Sequence, residues 1–291
     1  MSKLIFGCGY LGERIARRWQ TDGADVHVAT RSTRRAASLQ DAGYQTLVAD
    51  VTRLDTLQDL PPADTVLFAV GYDRTQTNSI HQVYAGGVQN VLASLTAGIK
   101  QFIYISSTGV YGPADGDWVD ELTPPNPVRD GGRASLAAEQ AAYSSRFGTN
   151  AIILRLAGIY GPGRIPYLDK LQAGQPIAAP SEGWLNLIHV DDATAIVLAA
   201  ESWMAGESTG PGPHTFCVSD GAPVVRGDFY REVAQQLGAP EPNFSKPDKA
   251  SPAAARAAAN KRIRNKKMIS TLNPRLSYPT YREGLKSILR R

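Results

Sequence analysis

Phe6-Gly7-Cys8-Gly9-Tyr10-Leu11-Gly12 follows the apolar run Lys3-Leu4-Ile5-Phe6 and leads into Arg14–Gln20, where apolar residues recur at helical spacing. A GxGxxG turn between a strand and a helix is shaped to take a pyrophosphate, because each glycine has a separate steric task. Gly7 supports the tight exit from the strand, Gly9 lets backbone amides approach the phosphates, and Gly12 permits close packing of helix on sheet. The helix N-terminus then faces the same anion with partial positive charge. Gly7, Gly9, Tyr10, Leu11 and Gly12 are therefore the expected diphosphate cradle. A glycine turn of this form also occurs as plain structure, and its place directly after the first strand is what favours the cradle.

The alternation of strand and helix continues down the chain. Apolar runs at Leu4–Phe6, Val26–Ala29, Thr46–Val48, Thr65–Val70, Phe102–Ile105 and Ala151–Leu156 alternate with helical stretches at Leu11–Thr21, Thr33–Ala42, Ile80–Gly98 and Ser135–Arg146. Largely apolar strands joined by crossover helices predict an α/β fold, a Rossmann doubly wound parallel sheet with its ligand crevice at the carboxyl ends of the strands. Past Leu156 the rhythm breaks, and proline and glycine crowd Gly158–Gly183 and Gly206–Pro213. A helix is expected at Asp191–Glu201 and a strand at Thr215–Val218. The remainder reads as a helix at Phe229–Leu237, a Pro-rich loop over Ala239–Pro252, an alanine-rich run at Ala253–Ala259 and a terminal helix from Tyr281. The expected division is a nucleotide-binding domain over residues 1–158, which also receives about 186–220, and a small C-terminal substrate lobe from 159–185 and 221–291.

Composition narrows the function classes. Of 291 residues 43% are hydrophobic and 20% charged, the balance of a globular chain able to bury a sizeable core. No apolar run approaches the ~20 residues that span a bilayer, so no membrane partner is expected. Met1-Ser2-Lys3 enters the first strand at once, which leaves no room for a leader and predicts a cytoplasmic protein. Cys8 and Cys217 read as small buried hydrophobes in a reducing compartment, with no disulfide. His27, His81, His189 and His214 lack metal-ligand spacing, so no metal is expected. The net charge is +4, and Lys261, Arg262, Arg264, Lys266, Lys267, Arg290 and Arg291 carry much of it. Without interleaved aromatics they read as solvated helix surface, and a small-molecule substrate is expected in place of nucleic acid.

The end of the second strand selects between the two nicotinamide dinucleotides, since an acidic residue there binds the ribose 2'-hydroxyl and a basic one accommodates a 2'-phosphate. Val26-His27-Val28-Ala29 runs into Thr30-Arg31-Ser32-Thr33-Arg34-Arg35, with three arginines and no carboxylate. Arginine clamps phosphate bidentately and keeps its charge, so Arg31, Ser32 and Arg34 point to NADP in preference to NAD.

Further stretches follow in an ordered series: Asp50-Val51, Gly87-Val88-Gln89-Asn90-Val91-Leu92, Tyr104-Ile105-Ser106-Ser107-Thr108-Gly109-Val110-Tyr111-Gly112, Arg155-Leu156-Ala157-Gly158-Ile159-Tyr160-Gly161-Pro162-Gly163-Arg164 and His189-Val190-Asp191-Asp192. On these the chain resembles the extended short-chain dehydrogenase/reductase superfamily, its NAD-dependent epimerase/dehydratase group, and within that the atypical YeeZ-like branch. The resemblance covers nearly the whole chain. It implies that Asp50 and Val51 contact adenine and that Ala69, Val70, Gly71, Ser106, Ala157 and Gly158 line the cofactor. Ser107 then aligns with the serine or threonine that hydrogen-bonds the substrate oxygen, with Thr108 beside it. It also implies a homodimer paired through Ile80–Gly98 and Ser135–Arg146.

One part of the pattern departs from the family. Typical members carry Tyr-x-x-x-Lys on the helix after the catalytic strand, with a glutamate four residues beyond the lysine. Aligned on Glu139, the tyrosine position is Gly131 and the lysine position is Ser135. Glycine donates nothing, and serine is a far poorer acid without positive charge, so the usual proton relay is missing. Tyr111, Tyr72 and Arg133 are the replacements on offer, although an arginine stays protonated and makes a poor acid. Family dehydratases carry Asp-Glu where this chain has Thr108-Gly109, which argues against elimination of water. His189 with Asp191 and Asp192 suggests either a relay or, more simply, a helix cap. Arg155 and Arg164 are candidates to hold a phosphorylated substrate.

The expected function is thus hydride transfer on a small polar or nucleotide-linked carbonyl or hydroxyl compound, by an oxidoreductase or epimerase with a degenerate active site. The alternative is a catalytically silent NADP(H)-binding sensor or regulatory protein. A fold that has lost nucleotide binding altogether is a third reading, disfavoured by the intact glycine loop.

Overall fold

The computed structural model describes all residues except 97, 207–211, 213, 249–253, 255–257 and 290–291. Arg290, Arg291, most of the Ala253–Ala259 run and part of Gly206–Pro213 therefore lie outside the described residues. The central sheet has seven strands: β1 (Ser2–Phe6), β2 (Asp25–Thr30), β3 (Gln45–Val48), β4 (Thr65–Phe68), β5 (Gln101–Ser107), β6 (Ala151–Leu156) and β7 (His214–Val218). They form one sheet in the order β7-β6-β5-β4-β1-β2-β3, the doubly wound arrangement expected from the sequence. Pairing is parallel in register from Ser2 with Asp25 to Phe6 with Ala29, and from Lys3 with Thr65 to Phe6 with Phe68. β4 and β6 are buried along their whole length, which is why their sequences are largely apolar without alternation, Arg155 being the charged exception.

The helices are α1 (Gly12–Thr21), α2 (Thr33–Asp41), α3 (Gly87–Ser94), α4 (Asp130–Tyr143), α5 (Leu168–Gln172), α6 (Val190–Met204), α7 (Arg226–Leu237), α8 (Lys266–Leu272) and α9 (Tyr281–Leu289). Two differ from expectation. The stretch read as one helix over Ile80–Gly98 opens with a wide turn of π-helix at Gln82–Gly86 before α3 begins. α4 starts at Asp130, ahead of Ser135, because Asp130 suits the positive end of a helix and the two glycines that follow are tolerated in a first turn. Among the described residues no helix is long and apolar enough to cross a membrane.

The chain divides into two compact units. The first comprises Met1–Val110, Asp130–Arg155 and Val197–Phe216. Its core joins Leu4 and Phe6 of β1, Val66 and Phe68 of β4, Phe102 and Tyr104 of β5 and Val88, Val91 and Leu92 of α3. At the amino ends of the strands a polar group is buried with them. Glu201 receives Lys3, Thr65 Oγ1 at 2.7 Å and Trp19 Nε1 at 2.6 Å. A buried ammonium and carboxylate are thereby matched and fully hydrogen-bonded, the condition under which burial of charge is tolerated.

The second unit comprises Tyr111–Arg129, Leu156–Ile196 and Cys217–Arg291. Its core gathers Tyr160, Ile165, Leu171, Ile177, Phe229, Tyr230, Tyr281 and Leu285. Short two-stranded pairs brace it: Gly158–Tyr160 with Leu187–His189, Trp184–Leu185 with Val224–Val225, and Trp118–Val119 with Arg262–Ile263. The last pair corrects the reading of the basic segment. Lys261 is buried and Arg262 lies in a strand with its guanidinium over the rings of Trp118 and Trp184, whereas Arg264, Lys266 and Lys267 are exposed as expected. A lysine-rich composition hides this, because the strand is two residues long and carries no apolar alternation.

Candidate functional site

The glycine loop divides its labour by space. Gly7 has φ +95°, and a Cβ there would lie 2.4 Å from the carbonyl oxygen of Ala69 and 2.6 Å from the nitrogen of Val70. A Cβ on Gly12 would lie 2.3 Å from the Gly7 carbonyl oxygen. Both residues are therefore glycine for packing, and Gly7 also for its left-handed backbone. Around Gly9 a Cβ would meet nothing within 4 Å. The middle glycine faces open space at the start of α1, whose N-cap residue Leu11 supplies no side-chain cap. Tyr10 is held by Arg14, whose guanidinium stacks 4.4 Å from the ring centroid and donates to the Tyr10 carbonyl at 2.7 Å. Packed outer glycines and an open middle one make a cradle that fits a dinucleotide pyrophosphate. Burial pushes the Cys8 thiol up to about 11, so this loop residue stays a neutral thiol.

Beyond β2 the arginines have distinct settings. Arg31 pairs with Asp73 at 2.6 Å and with Gln76, both in the segment after β4. Ser32 caps α2 by accepting the Arg35 amide at 3.2 Å, which satisfies one of the helix's first amides. Arg34 is exposed. Arg35 reaches the glycine loop, bonding Glu13 at 2.8 Å and the Cys8 carbonyl at 3.4 Å. Its position against the loop is something the sequence did not single out, since spacing from the strand favoured Arg31 and Arg34. Asp50 Oδ1 closes a turn by accepting the Thr52 amide at 2.9 Å and hydroxyl at 2.7 Å. Val51 packs where a Cβ on Gly87 would approach within 2.9 Å, and its carbonyl accepts Asn90 at 2.9 Å. At Gly71 a Cβ would meet nothing within 4 Å.

At the end of β5 two adjacent serines face different surroundings. Ser106 is buried and donates to Glu139 Oε1 at 2.5 Å; Glu139 in turn receives Arg155 Nη2 at 2.6 Å and Nε at 3.0 Å. This corrects the reading of Arg155 as a phosphate ligand, because its guanidinium is buried and committed to Glu139. Ser107 is half-buried and accepts the Gly109 amide at 3.0 Å, and Thr108 beside it is half-buried too. Ser135, at the position the resemblance gives to lysine, is buried and shares a hydrogen bond with Tyr104, whose phenol burial holds strongly protonated. Gly131 lies on the first turn of α4, where a Cβ would meet Ile80 Cδ1 at 3.6 Å. Of the candidate replacement acids, Tyr72 donates to the Asn78 carbonyl at 3.2 Å and Arg133 pairs with Asp130 at 2.9 Å.

The second unit holds the remaining candidates. Ala157 N donates to Val218 O at 2.9 Å and Gly158 N to Asn186 O at 2.9 Å. Tyr111 Oη donates to the Asp120 carbonyl at 2.7 Å and touches Cys217 Sγ at 3.2 Å. His189 is buried against Tyr160 and Tyr278, with ring centroids 5.3 and 3.9 Å away. Asp192 does not cap its own helix. It accepts the amides of Ser277 at 2.7 Å and Tyr278 at 2.9 Å, so it anchors the chain ahead of α9. Arg164 is exposed on its turn. Among the buried ionisable residues of this unit, Asp220 was not singled out by the sequence and Lys261 was read as solvated surface. Burial raises the Asp220 carboxyl to about 7, reinforced by Asp192 and Glu283. Their signal is weak because each sits in a Gly- or Asn-flanked stretch without periodicity.

These features define a class, the Rossmann-type dinucleotide-binding proteins of the short-chain dehydrogenase/reductase kind. The chain belongs to the NAD dependent epimerase/dehydratase family, which residues 4–211 match. It is 32% identical over 250 residues to Protein YeeZ of Escherichia coli (strain K12), covering 82% of this chain and 85% of that protein. A functionally unknown conserved protein from Silicibacter pomeroyi DSS superposes with a TM-score of 0.77 at 28% identity, covering 99% and 98% of the two chains. Human epimerase family protein SDR39U1 (isoform 2), solved with NADPH, superposes with a TM-score of 0.81 over 100% of both chains. At 16% identity that last likeness shows the fold alone.

Proposed function

We propose that this chain is an NADP(H)-dependent oxidoreductase or epimerase that works without the Tyr-x-x-x-Lys pair. The observation that carries it is the open space at Gly9 between two glycines that are locked by backbone contacts. The NAD dependent epimerase/dehydratase family supports a nicotinamide dinucleotide at this site, and structural neighbours were solved with NADPH and with NAD. NADP is favoured over NAD because Arg31 and Arg35 stand where the chain leaves β2, near the glycine loop in the case of Arg35. The Arg31–Asp73 pair is solvent-exposed, so it is worth at most about 1 kcal/mol and yields readily to a phosphate.

Gly9 and the first amides of α1 would hold the diphosphate of a bound NADP(H), which would supply hydride acceptance or donation. Ser107 Oγ polarises the reacting oxygen of a small polar or nucleotide-linked carbonyl or hydroxyl compound, with Thr108 beside it. Water or a residue other than Gly131 and Ser135 supplies the proton. Loss of positioned general acid catalysis lowers rates by about 10² to 10⁴, so turnover is slow but measurable. The test follows NADPH absorbance with a panel of small carbonyl compounds. Consumption should occur and disappear in Ser107→Ala; tight NADPH binding with no consumption overturns the enzyme in favour of a sensor, and tighter binding of NAD than NADP overturns the preference.

A further inference from the structure

We infer that Tyr84 positions the nicotinamide half of the bound dinucleotide, its hydroxyl donating to a hydroxyl of the nicotinamide ribose. This rests on the dinucleotide reading proposed above and adds a residue to it. The sheet order decides where each half of a dinucleotide belongs. β2 and β3 lie on one side of β1, and β4 and β5 on the other. Residues after β2 read the adenosine ribose, so the nicotinamide half belongs over the carboxyl ends of β4 and β5. The exit of β4 touches the glycine loop, since a Cβ on Gly7 would lie 2.6 Å from the Val70 nitrogen. Tyr72 stands two residues further on, a span of at most about 7 Å, which is the step from a diphosphate to the ribose bonded to it. Between them a Cβ on Gly71 would meet nothing within 4 Å, so there is room for the sugar.

Tyr84 meets the chain at this point. The π-helical turn Gln82–Gly86 carries it, and its half-buried ring packs against the core of the first unit. Its Oη accepts the Tyr72 amide at 3.3 Å. A phenol that accepts there keeps its own proton to give, and among the described residues no acceptor stands within bonding distance of it. The neighbouring hydroxyls are committed: Tyr72 donates to the Asn78 carbonyl at 3.2 Å, and Tyr104 shares a hydrogen bond with the buried Ser135. Ser135 holds the position that the resemblance gives to lysine, so no donor comes from there. Burial holds the Tyr84 phenol above its ordinary pKa, and the proton stays on through neutral pH.

The experiment needs no substrate. Parent and Tyr84→Phe are titrated with NADPH and with 2',5'-ADP, which carries the adenosine phosphates and ends before the nicotinamide ribose. If the parent binds NADH more tightly, NADH and ADP take their places. Affinity for the dinucleotide should fall about 5- to 10-fold in Tyr84→Phe, the size of one lost hydrogen bond, while affinity for the adenosine fragment holds. Equal losses on both ligands would make Tyr84 a structural support of the crevice and overturn the contact, and so would an unchanged dinucleotide affinity. Crystals of the parent with the dinucleotide give a second reading that does not need the variant to fold. Tyr84 Oη should stand within about 3.2 Å of a nicotinamide-ribose oxygen, and a wider gap overturns the assignment. A parent that binds neither dinucleotide sinks the dinucleotide reading and Tyr84 with it, whereas full binding in Tyr84→Phe sinks the role of Tyr84 alone.

Discussion

Arg155 and Lys261 are both cations buried to about the same depth, yet they are surrounded in opposite ways. Arg155 lies against Glu139 through hydrogen bonds of 2.6 and 3.0 Å, and Ser106 completes the carboxylate. Lys261 has a backbone carbonyl and a neighbouring cation. The first arrangement is closed and has no capacity left for a ligand. In the second, among the described residues, the ammonium is met by a backbone dipole with no carboxylate bonded to it. Reading buried charge by its partners separates the two more sharply than burial alone.

The largest effect should follow from breaking the closed pair. Glu139→Ala strands the Arg155 guanidinium in the first unit and frees Ser106, and should cost about 3 to 5 kcal/mol by urea denaturation. The double variant Glu139→Leu with Arg155→Met should recover most of the loss, as buried pairs replaced by apolar residues often do. A loss under about 1 kcal/mol in the single variant would show that the pair is not the closed unit its geometry describes.

Asp220 is the acidic counterpart of Lys261, since it too is buried without a cation. Its Oδ1 accepts the Ala222 amide at 3.0 Å, and the groups that bear on it are the carboxylates of Asp192 and Glu283. The folded pKa is about 7 against an ordinary 3.8, so between those values the folded chain holds a proton that the unfolded chain has released. Stability from this group is complete below about pH 4, declines as pH rises, and is gone above about 7. Asp220→Asn should remove that decline and stabilise the protein at pH 8 by up to a few kcal/mol. Parallel denaturation curves at pH 5 and pH 8 for parent and variant check it, and equal slopes against pH would refute it.

How much of this was legible beforehand follows from the same contrast. The strands, their parallel order and the glycine loop were readable because long apolar runs and a GxGxxG turn are local signals that tertiary context does not override. Arg155 was misread, for its partner Glu139 lies on another element and sequence alone does not show which carboxylate a guanidinium meets. Asp191 or Asp192 was expected to cap α6, and the oxygens of Asp192 go instead to amides 85 and 86 residues away. Lys261 was hidden within a basic run whose exposed members Arg264, Lys266 and Lys267 set its apparent character. Tyr111–Arg129 leaves the first unit between β5 and α4, and the proline and acidic residues crowded there, which mark the excursion, were not read as a boundary.

Lys261 gives a smaller stability effect of opposite sign to Asp220. Its folded pKa of about 8 lies below the ordinary 10.5, so between these values the unfolded chain binds the extra proton and stability rises with pH. Lys261→Met should abolish that rise. At neutral pH it should change stability by about 1 kcal/mol or less, since relief of the buried charge offsets the loss of the bond to Tyr111 O. A variant that keeps the alkaline rise would place its origin in another group.

The smallest stability effect and the sharpest functional one should come from Gly9 in the glycine loop, where the same logic of occupied against open surroundings applies to space in place of charge. Gly7→Ala and Gly12→Ala drive a Cβ into backbone atoms at 2.4 and 2.3 Å, which no side-chain movement relieves, so both should destabilise. Gly9→Ala meets nothing within 4 Å and should leave stability within about 0.5 kcal/mol of the parent. The methyl would instead occupy the space proposed for the diphosphate. Thermal stabilisation by NADPH, about 2.7 kcal/mol for a ligand at 100 times its Kd, should then vanish in Gly9→Ala while the apo melting temperature holds. Unchanged stabilisation in that variant would mean the open space beside Gly9 is not where the dinucleotide sits, and the cradle reading would fall with it.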